Sequence, residues 1–206
     1  MAERKHGLPA PKTLTVIRDE DWYARDLSDQ KHTQVEFIDV DMTETSSHGA
    51  TFTDCTFRGV RFNVANHDGS AFTNCTFKRC NFFETKFTSC KLVGSMFDQC
   101  TYDLMKVTGG DWSFTGLPGA DLRSATFSDT RMRECDLTGA RCEGGVLERL
   151  DLSGAWLHSA KLTGCDLRGS DLSSLDPLTV ELKGAKITFD QAVVIATALG
   201  LDVSYE

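Results

Sequence analysis

Apolar residues recur at every fifth position along most of this chain, a period that neither a helix nor a strand can bury. From Trp22 to Ile187, 30 of the 34 positions spaced five apart are apolar, the exceptions being His32, Ser47, His67 and Pro177. Five residues turn an α-helix by about 500° and alternate between the faces of a β-strand, so either element would spread these side chains over its surface. The pattern therefore predicts a solenoid that turns a corner every five residues and directs each central residue inwards.

A second row of small residues lies two positions before the central residues. Between Glu20 and Ala185, 28 of these 34 positions hold Ala, Cys, Ser, Thr, Gly or Val. The frame does not shift, so we expect a rod without protruding loops. We divide the chain into an N-terminal extension at 1–18, a repeat region at 19–187, and a C-terminal capping or dimerisation helix with its tail at 188–206.

The eight cysteines all fall at positions predicted to point inwards. Cys142 is a central residue, and the other seven occupy the small position: Cys55, Cys75, Cys80, Cys90, Cys100, Cys135 and Cys165. Free cysteine behaves as a small buried hydrophobe, so we interpret these residues as core filler and expect no metal. A zinc site would require four converging ligands, and nothing completes one around Cys75 and Cys80. Disulfides are the other alternative, and reduced thiols fit a cytoplasmic protein better.

Composition and charge narrow the classes of function. The formal charge of −8 argues against nucleic-acid binding through a basic surface and leaves room for a basic partner. No apolar stretch long enough for a membrane helix or a signal sequence is present, so we predict a cytoplasmic location. The G-x-S-x-G, H-E-x-x-H and P-loop motifs are absent, and we expect neither an enzyme nor a cofactor. His32 and His67, at inward positions, are interpreted as hydrogen-bonded core residues.

The repeat is clearest in four segments: ADLRS at 120–124, CDLTG at 135–139, CDLRG at 165–169 and SDLSS at 170–174. This order of a small residue, a polar residue and leucine or phenylalanine resembles the pentapeptide-repeat proteins, and the resemblance covers most of the chain. It implies an all-β fold, a right-handed quadrilateral parallel β-helix in which four repeats complete one coil. A short C-terminal α-helix completes the expected fold.

Residues twenty apart should stack in successive coils of such a rod. The aromatic ladders expected from this rule are Phe57, Phe77 and Phe97, and a second one that begins with Phe62 and Phe82. From Leu117 onwards leucine mostly replaces phenylalanine. We expect an irregular coil or a bend at 101–119, because Met105 is large for its position and Gly109, Gly110 and Pro118 follow it.

The C-terminal segment has the pattern of a short helix. Thr188 and Gln191 form a capping box, and Gly200 is a typical stop. The helix is apolar on nearly all sides, so one coil cannot cover it. It is either a plain cap or a homodimer interface, and the candidate dimerisation residues are Phe189, Ala192, Val193, Ile195, Ala196 and Leu199.

Three segments carry a closer resemblance: SAFTNCTF, LVGSMFDQC and ITFDQAVVIATALGLDV. They resemble the quinolone-resistance type of pentapeptide-repeat protein, and most closely its MfpA-like branch, the loopless relatives of the Qnr proteins. The resemblance implies a homodimer joined through the C-terminal end. It also implies a DNA mimic that binds DNA gyrase, a type II topoisomerase, and inhibits it or protects it from fluoroquinolones or other topoisomerase poisons. The alternative is a structural scaffold that binds a different protein.

The outward residues would form any such binding surface, and their charge is uneven. The side formed by residues 20–24, 40–44 and so on to 180–184 holds nine acidic and five basic residues, whereas the next side holds six of each. Towards the C-terminus, the residue before the central position is often acidic. The candidate partner-binding residues are Asp103, Asp121, Asp136, Glu143, Asp151, Asp166, Asp171, Asp176 and Glu181. A merely solvated surface is the alternative for these acids.

Overall fold

Short strands separated by twenty residues pair in parallel throughout the computed structural model, which describes residues 9–204. Thr15 pairs with Val35 near the beginning, and Asp166 pairs with Lys186 near the end. The result is a parallel β-solenoid followed by one short helix, as the five-residue period predicts. Its elements are β1 (Thr15–Arg18), β2 (Lys31–Thr33), β3 (Val35–Ile38), β4 (Ser46–His48), β5 (Thr51–Thr53), β6 (Thr56–Arg58), β7 (Asn66–Asp68), β8 (Ala71–Thr73), β9 (Thr76–Lys78), β10 (Lys86–Thr88), β11 (Met96–Asp98), β12 (Lys106–Thr108), β13 (Thr126–Ser128), β14 (Val146–Glu148) and α1 (Phe189–Ala198).

The solenoid has four sides, which we number in chain order. The first side is the sheet β1-β3-β6-β9-β11, the third is β4-β7-β10-β12-β13-β14, and the fourth is β2-β5-β8. The second side is built from isolated bridges, beginning with Asp21 to Asp41 and ending with Lys161 to Glu181. Because β1 already pairs with β3, part of the segment assigned to the N-terminal extension belongs to the solenoid. Residues 1–8 of that extension lie outside the described residues.

A left-handed backbone at the corners explains why the period is five. The residue two places after the central one has a positive φ in most repeats, as at Asp19 (52°), Gln34 (55°) and Asp54 (53°). On the second side, the central Trp22 also accepts a hydrogen bond at 3.1 Å from the N–H of Arg25, which closes the turn. Aspartate, asparagine and glycine tolerate this conformation best, and many corners hold them.

The predicted aromatic ladders fill the first half of the core. The ring of Phe77 is stacked 4.8 Å from that of Phe57 and 4.7 Å from that of Phe97, and all three are buried. Phe62 stacks on Phe82 in the same way at 5.1 Å. Each ring also meets rings of the adjoining sides edge-on, so the ladders form one continuous aromatic core.

The cysteines are core residues, as predicted. All eight are free, and only Cys100 is more than slightly exposed. The thiols of Cys75 and Cys80 donate to backbone carbonyls of the preceding coil, those of Phe52 and Phe57, at 3.4 Å. Burial raises the pKa of Cys90 to about 11, which keeps that thiol protonated at neutral pH.

His67 is a buried, hydrogen-bonded core histidine, which confirms the interpretation made from its inward position. Its Nδ1 lies 2.7 Å from the Oγ of Ser47, and that hydroxyl lies 2.9 Å from the Oγ of Ser70. Its Nε2 has no hydrogen-bond partner among the described residues. Burial lowers the pKa of His67 to about 4, so the ring is neutral at physiological pH.

The bend expected at 101–119 is confined to one corner. The rungs continue in register on both sides of it, since Lys91 pairs with Asp111 and Asp111 pairs with Arg131. Met105 is fully buried and fits its small position. The departure from the regular coil is at Gly110, which has a φ of +84° next to the corner residue Gly109.

The helix α1 closes the C-terminal end of the rod. Thr188 is its N-cap, and the capping box with Gln191 is present as predicted. Gln191 has a second role, because its Nε2 donates at 2.7 Å to the carbonyls of both Leu167 and Ser170 in the preceding coil. One buried amide therefore joins the helix to the solenoid. Among residues 9–204, no helix is long and apolar enough to cross a membrane.

Candidate protein-interaction surface

The structure distributes the nine candidate acids over all four sides of the rod. Asp121 and Glu181 lie in bridges of the second side, and Asp103 and Glu143 lie on the same side. Asp136 belongs to the first side, Asp166 to the third and Asp151 to the fourth, while Asp171 continues the fourth side and Asp176 lies in the turn that follows it. The four acids of the second side are the largest group and form what we call the acidic surface, while Asp151 and Asp171 lie one coil apart on the fourth side.

Arginines interrupt that acidic surface. Asp121 Oδ2 lies 2.7 Å from Arg123 Nη2 and 3.4 Å from Arg141 Nη1. The hydrogen bond from Arg123 is the main cause that lowers the pKa of Asp121. Glu143 lies at a longer distance, 3.9 Å from Arg141 Nε. The local charge of this surface is thus smaller than its count of acids indicates.

The same pairing extends to the third and fourth sides. Asp166 Oδ2 lies 2.7 Å from Arg168 Nη2 and 3.8 Å from Lys186 Nζ. Asp151 Oδ2 lies 2.5 Å from Arg133 Nε. The more exposed pair of Asp151 and Arg133 contributes only about 0–1 kcal/mol to folding. Both pairs fix the position of the charges.

Several of the other candidate acids stabilise turns. Asp136, Asp171 and Asp176 each accept a hydrogen bond from the backbone N–H two residues later, at 2.9, 2.9 and 3.0 Å. This is the turn in which an aspartate side chain replaces a backbone acceptor. The frequency of aspartate before the central residue therefore has a structural cause, whether or not a partner binds to these charges.

Exposed apolar side chains on the second side were missed in the sequence, because outward positions were examined for charge only. Val64, Phe83 and Leu104 are 37%, 37% and 47% exposed. Val64 and Phe83 belong to adjacent coils, where the N–H of Val64 donates to the carbonyl of Phe83 at 2.8 Å. The repeat spacing would have revealed Val64 and Leu104, since 64, 84 and 104 are the same corner in successive coils, and Phe83 lies one residue before the corner residue Glu84.

The C-terminal end exposes a larger apolar surface. Of the candidate dimerisation residues, Phe189 is 71% and Leu199 is 47% exposed, and Ala192 is also exposed. Val193, Ile195 and Ala196 are half-buried, and Ile195 packs against the core. Leu178, Leu201 and Val203 add exposed apolar side chains at the same end.

Within residues 9–204, no three His, Cys, Asp or Glu side chains are grouped so that they could hold a metal ion. The rod and its exposed end define a repeat solenoid with outward side chains available for contact.

Two sequence models of one family match the chain, "Pentapeptide repeat region" at residues 50–127 and "Pentapeptide repeats (8 copies)" at 135–173. Together these matches cover more than half of the sequence, and the chain belongs to the pentapeptide-repeat family.

Solved structures of the same family resemble the chain at low identity. A trypsin-treated form of QnrB1, a plasmid-mediated fluoroquinolone resistance protein, is 22% identical over 94% of this chain and 99% of its own, with a TM-score of 0.37. HetL of the cyanobacterium Nostoc, involved in heterocyst differentiation regulation, is 18% identical over 85% and 87%, with a TM-score of 0.40. A protein of the Arabidopsis thaliana thylakoid lumen is 17% identical over 85% and 77%, with a TM-score of 0.24. No curated protein matches the chain.

Proposed function

We propose that this chain is an MfpA-like pentapeptide-repeat protein that binds DNA gyrase as a mimic of DNA. It would inhibit the enzyme or protect it from fluoroquinolones or other topoisomerase poisons. The observation that carries the proposal is the C-terminal segment FDQAVVIATALGLDV, which resembles the MfpA-like proteins and which the repeat itself does not require. A gyrase partner also implies the cytoplasm, where free thiols stay reduced.

The net charge of the rod limits how closely it could imitate the electrostatic field of DNA. A net charge of −8 over 206 residues amounts to about one negative charge per coil, whereas B-DNA carries about three over the same rise of about 4.8 Å. Total charge therefore cannot reproduce the field of DNA. Recognition would depend on shape and on local acidic surfaces, and electrostatics would mainly raise the association rate and its sensitivity to salt.

The direct experiment adds the purified protein to DNA gyrase. Rising concentrations should reduce DNA supercoiling, or should reduce the cleavage that ciprofloxacin induces, because the rod competes with DNA for one surface. If neither reaction changes at micromolar protein, the gyrase proposal is wrong. The salt dependence of the effect would show how much of it comes from charge.

Neutralising the acids of the second side tests which surface gyrase would contact. The triple variant Asp103→Asn, Asp121→Asn and Glu143→Gln should weaken the effect on gyrase about tenfold, which corresponds to about 1.4 kcal/mol over three exposed charges. A control with the same change of net charge on the fourth side consists of Asp111→Asn, Asp151→Asn and Asp171→Asn. Equal potency of the two triple variants would reject the second side as the contact surface.

The proposal includes a homodimer joined through the C-terminal end. Phe189, Leu199 and Leu201 are exposed at this end and offer apolar area that a partner copy could cover. Exposed apolar surfaces often mark interaction sites in soluble proteins. A helix that served only as a cap would be expected to cover its large apolar side chains, whereas Phe189 is 71% exposed. Joining two rods end to end would also bring the C-terminal acids towards the middle of the assembly.

Light scattering should give twice the mass of one chain at micromolar protein. The variant Phe189→Glu with Leu199→Lys should give the mass of a monomer, because it places charges in the apolar surface. An acid in the first turn and a lysine at the end of α1 both suit the helix dipole, so the helix itself should persist. The control Phe83→Glu changes an equally apolar exposed residue on the second side and should stay dimeric. A wild-type monomer mass would refute the dimer.

The alternative scaffold function has one observation in its favour. Val64, Phe83 and Leu104 give the second side an exposed apolar surface, which the DNA backbone does not present. A protein partner unrelated to gyrase could bind there through apolar contacts. If gyrase does not respond to the purified rod, this surface is the first one to examine for another partner.

A further inference from the structure

A gap opens in the row of outward side chains on the first side. Met96, Gly116, Asp136 and Trp156 follow one another in this row as successive bridges. Gly116 contributes no side chain, and the Sδ of Met96 lies over its backbone in the space that a Cβ would fill. A small notch remains beside Met96. The notch is lined by Met96 below, Trp156 above and Phe114 at the corner.

The apolar lining of this notch is accessible. Trp156 is 42% exposed, whereas Trp22 and Trp112 are 5% and 0% exposed in the core. Phe114 occupies a corner with a φ of 60°, which keeps its half-buried ring on the surface instead of in the core. A tryptophan, a phenylalanine and a methionine thus surround a site that faces solvent, and these polarizable groups suit the face of a planar cation.

Two carboxylates complete the notch, Glu134 and Asp136. The Oδ1 of Asp136 accepts the N–H of Thr138 at 2.9 Å, which fixes the position of the carboxylate and leaves Oδ2 for another donor. Within residues 9–204, no cationic side chain lies at ion-pair distance from either acid. Acids on the other sides differ, since Asp111 is paired with Arg131, Asp129 with Arg149 and Asp151 with Arg133.

We propose that this notch is a binding site for an arginine side chain of a protein partner. The enclosed space is about 10 Å³, enough for one water. The guanidinium would therefore lie across the mouth of the notch, against the exposed ring of Trp156, and donate to the carboxylates of Asp136 and Glu134. Arginine fits better than lysine because its planar group can stack on a ring and donate to two acceptors at once. Any protein that presents an accessible arginine could supply this side chain, because the recognition lies in the notch.

The experiment uses a short peptide as the probe, acetyl-Gly-Arg-Gly-amide, with the fluorescence of the full-length protein as the signal. Trp156 is the exposed tryptophan, so its emission should change as the notch fills. Half-saturation should fall at about 1–10 mM at constant ionic strength, as expected for so small a ligand. The matched peptide with citrulline, which has the same shape without the charge, should bind at least about tenfold more weakly.

Two kinds of variant separate charge from shape. Glu134→Gln with Asp136→Asn should weaken arginine binding at least about fivefold, and the amide at 136 can still accept the N–H of Thr138. Gly116→Ala should weaken it without changing the charge, because the new methyl group would push Met96 Sδ into the notch. The control Asp171→Asn with Asp176→Asn changes the net charge equally and should bind as the wild type does.

Two results would overturn the proposal. One is equal binding of the arginine and citrulline peptides, which would mean that the guanidinium is not recognised. The other is unchanged binding by the variant of Glu134 and Asp136, with its thermal unfolding unaltered. Neither measurement involves gyrase, so a failed gyrase assay would leave the result for the notch intact.

Discussion

Phe77→Ala should lower the free energy of unfolding by about 3–5 kcal/mol. The ring of Phe77 is 0% exposed and lies between those of Phe57 and Phe97 in the ladder of the first side. It also meets Phe62 at 6.0 Å and Phe82 at 5.5 Å. Removing it leaves a cavity inside a rod whose hydrogen-bonded rungs resist collapse, so the lost contacts are not replaced.

Urea denaturation followed by circular dichroism would measure this loss, with all proteins at one concentration because a dimer links stability to concentration. Phe77→Leu is the matched control, since Leu117 and Leu137 occupy the same position in later coils. It should cost about 1–2 kcal/mol, mainly the loss of ring stacking and some volume. A loss below about 1.5 kcal/mol for Phe77→Ala would show that the core closes around the gap.

Gly110→Ala should be almost as damaging, with a loss of about 3–5 kcal/mol from overpacking and backbone strain together. A Cβ at this position would overlap the carbonyl oxygen of Cys90 and lie 2.7 Å from its backbone nitrogen. These atoms belong to the backbone of the preceding coil, so relief would require a whole rung to move. The φ of +84° adds strain for any residue with a side chain.

Gly119→Ala separates the strain from the collision. Gly119 also has a positive φ, +64°, but a Cβ there would meet nothing within 4 Å. It should cost only about 1 kcal/mol, because the corners of this rod already hold many residues with side chains in the left-handed region. Equal losses for the two variants in urea denaturation would mean that the coil around Cys90 adapts to the added methyl group.

The fold follows from the sequence because the repeat constrains every coil in the same way. A central residue such as Phe57 has only one direction in which it can be buried, and Phe77 and Phe97 repeat the requirement at intervals of one coil. The small row before them holds the cysteines for the same reason. His67 was also predictable, since its inward position places the imidazole in the core, where Ser47 supplies its partner. His32 has the same kind of position near the beginning of the rod and is only half-buried.

The outward residues carry no such constraint, and their contacts were predicted less completely. Counting charges did not reveal that three acids of the second side, Asp41, Asp121 and Glu143, are paired with arginines. The spacing of one coil could have shown this, because several ion pairs join residues twenty apart: Asp41 with Arg61, Asp111 with Arg131, Asp121 with Arg141, Asp129 with Arg149 and Asp166 with Lys186. The turns closed by Asp136, Asp171 and Asp176 need only a spacing of two and were equally visible.

The notch on the first side, where we propose that arginine binds, was harder to predict. It depends on the lack of a side chain at Gly116 and on the orientations of the Phe114 and Trp156 side chains. The repeat places both rings outside the core but does not fix their rotamers. The second role of Gln191 is similar, since its reach to Leu167 and Ser170 depends on the angle at which α1 leaves the last coil.

The unbroken frame gives the rod an angular scale. Each repeat of five residues advances the chain by a quarter turn, and twenty residues return it to the same side one rung higher. Deleting one repeat at any point would therefore rotate everything beyond it by about 90° relative to everything before it. Inserting or deleting a full coil would change only the length. The number of repeats between the second side's acids and α1 thus sets the direction in which those acids face relative to the C-terminal end, and duplication in units of twenty residues is the one route by which the rod can lengthen without turning its surfaces.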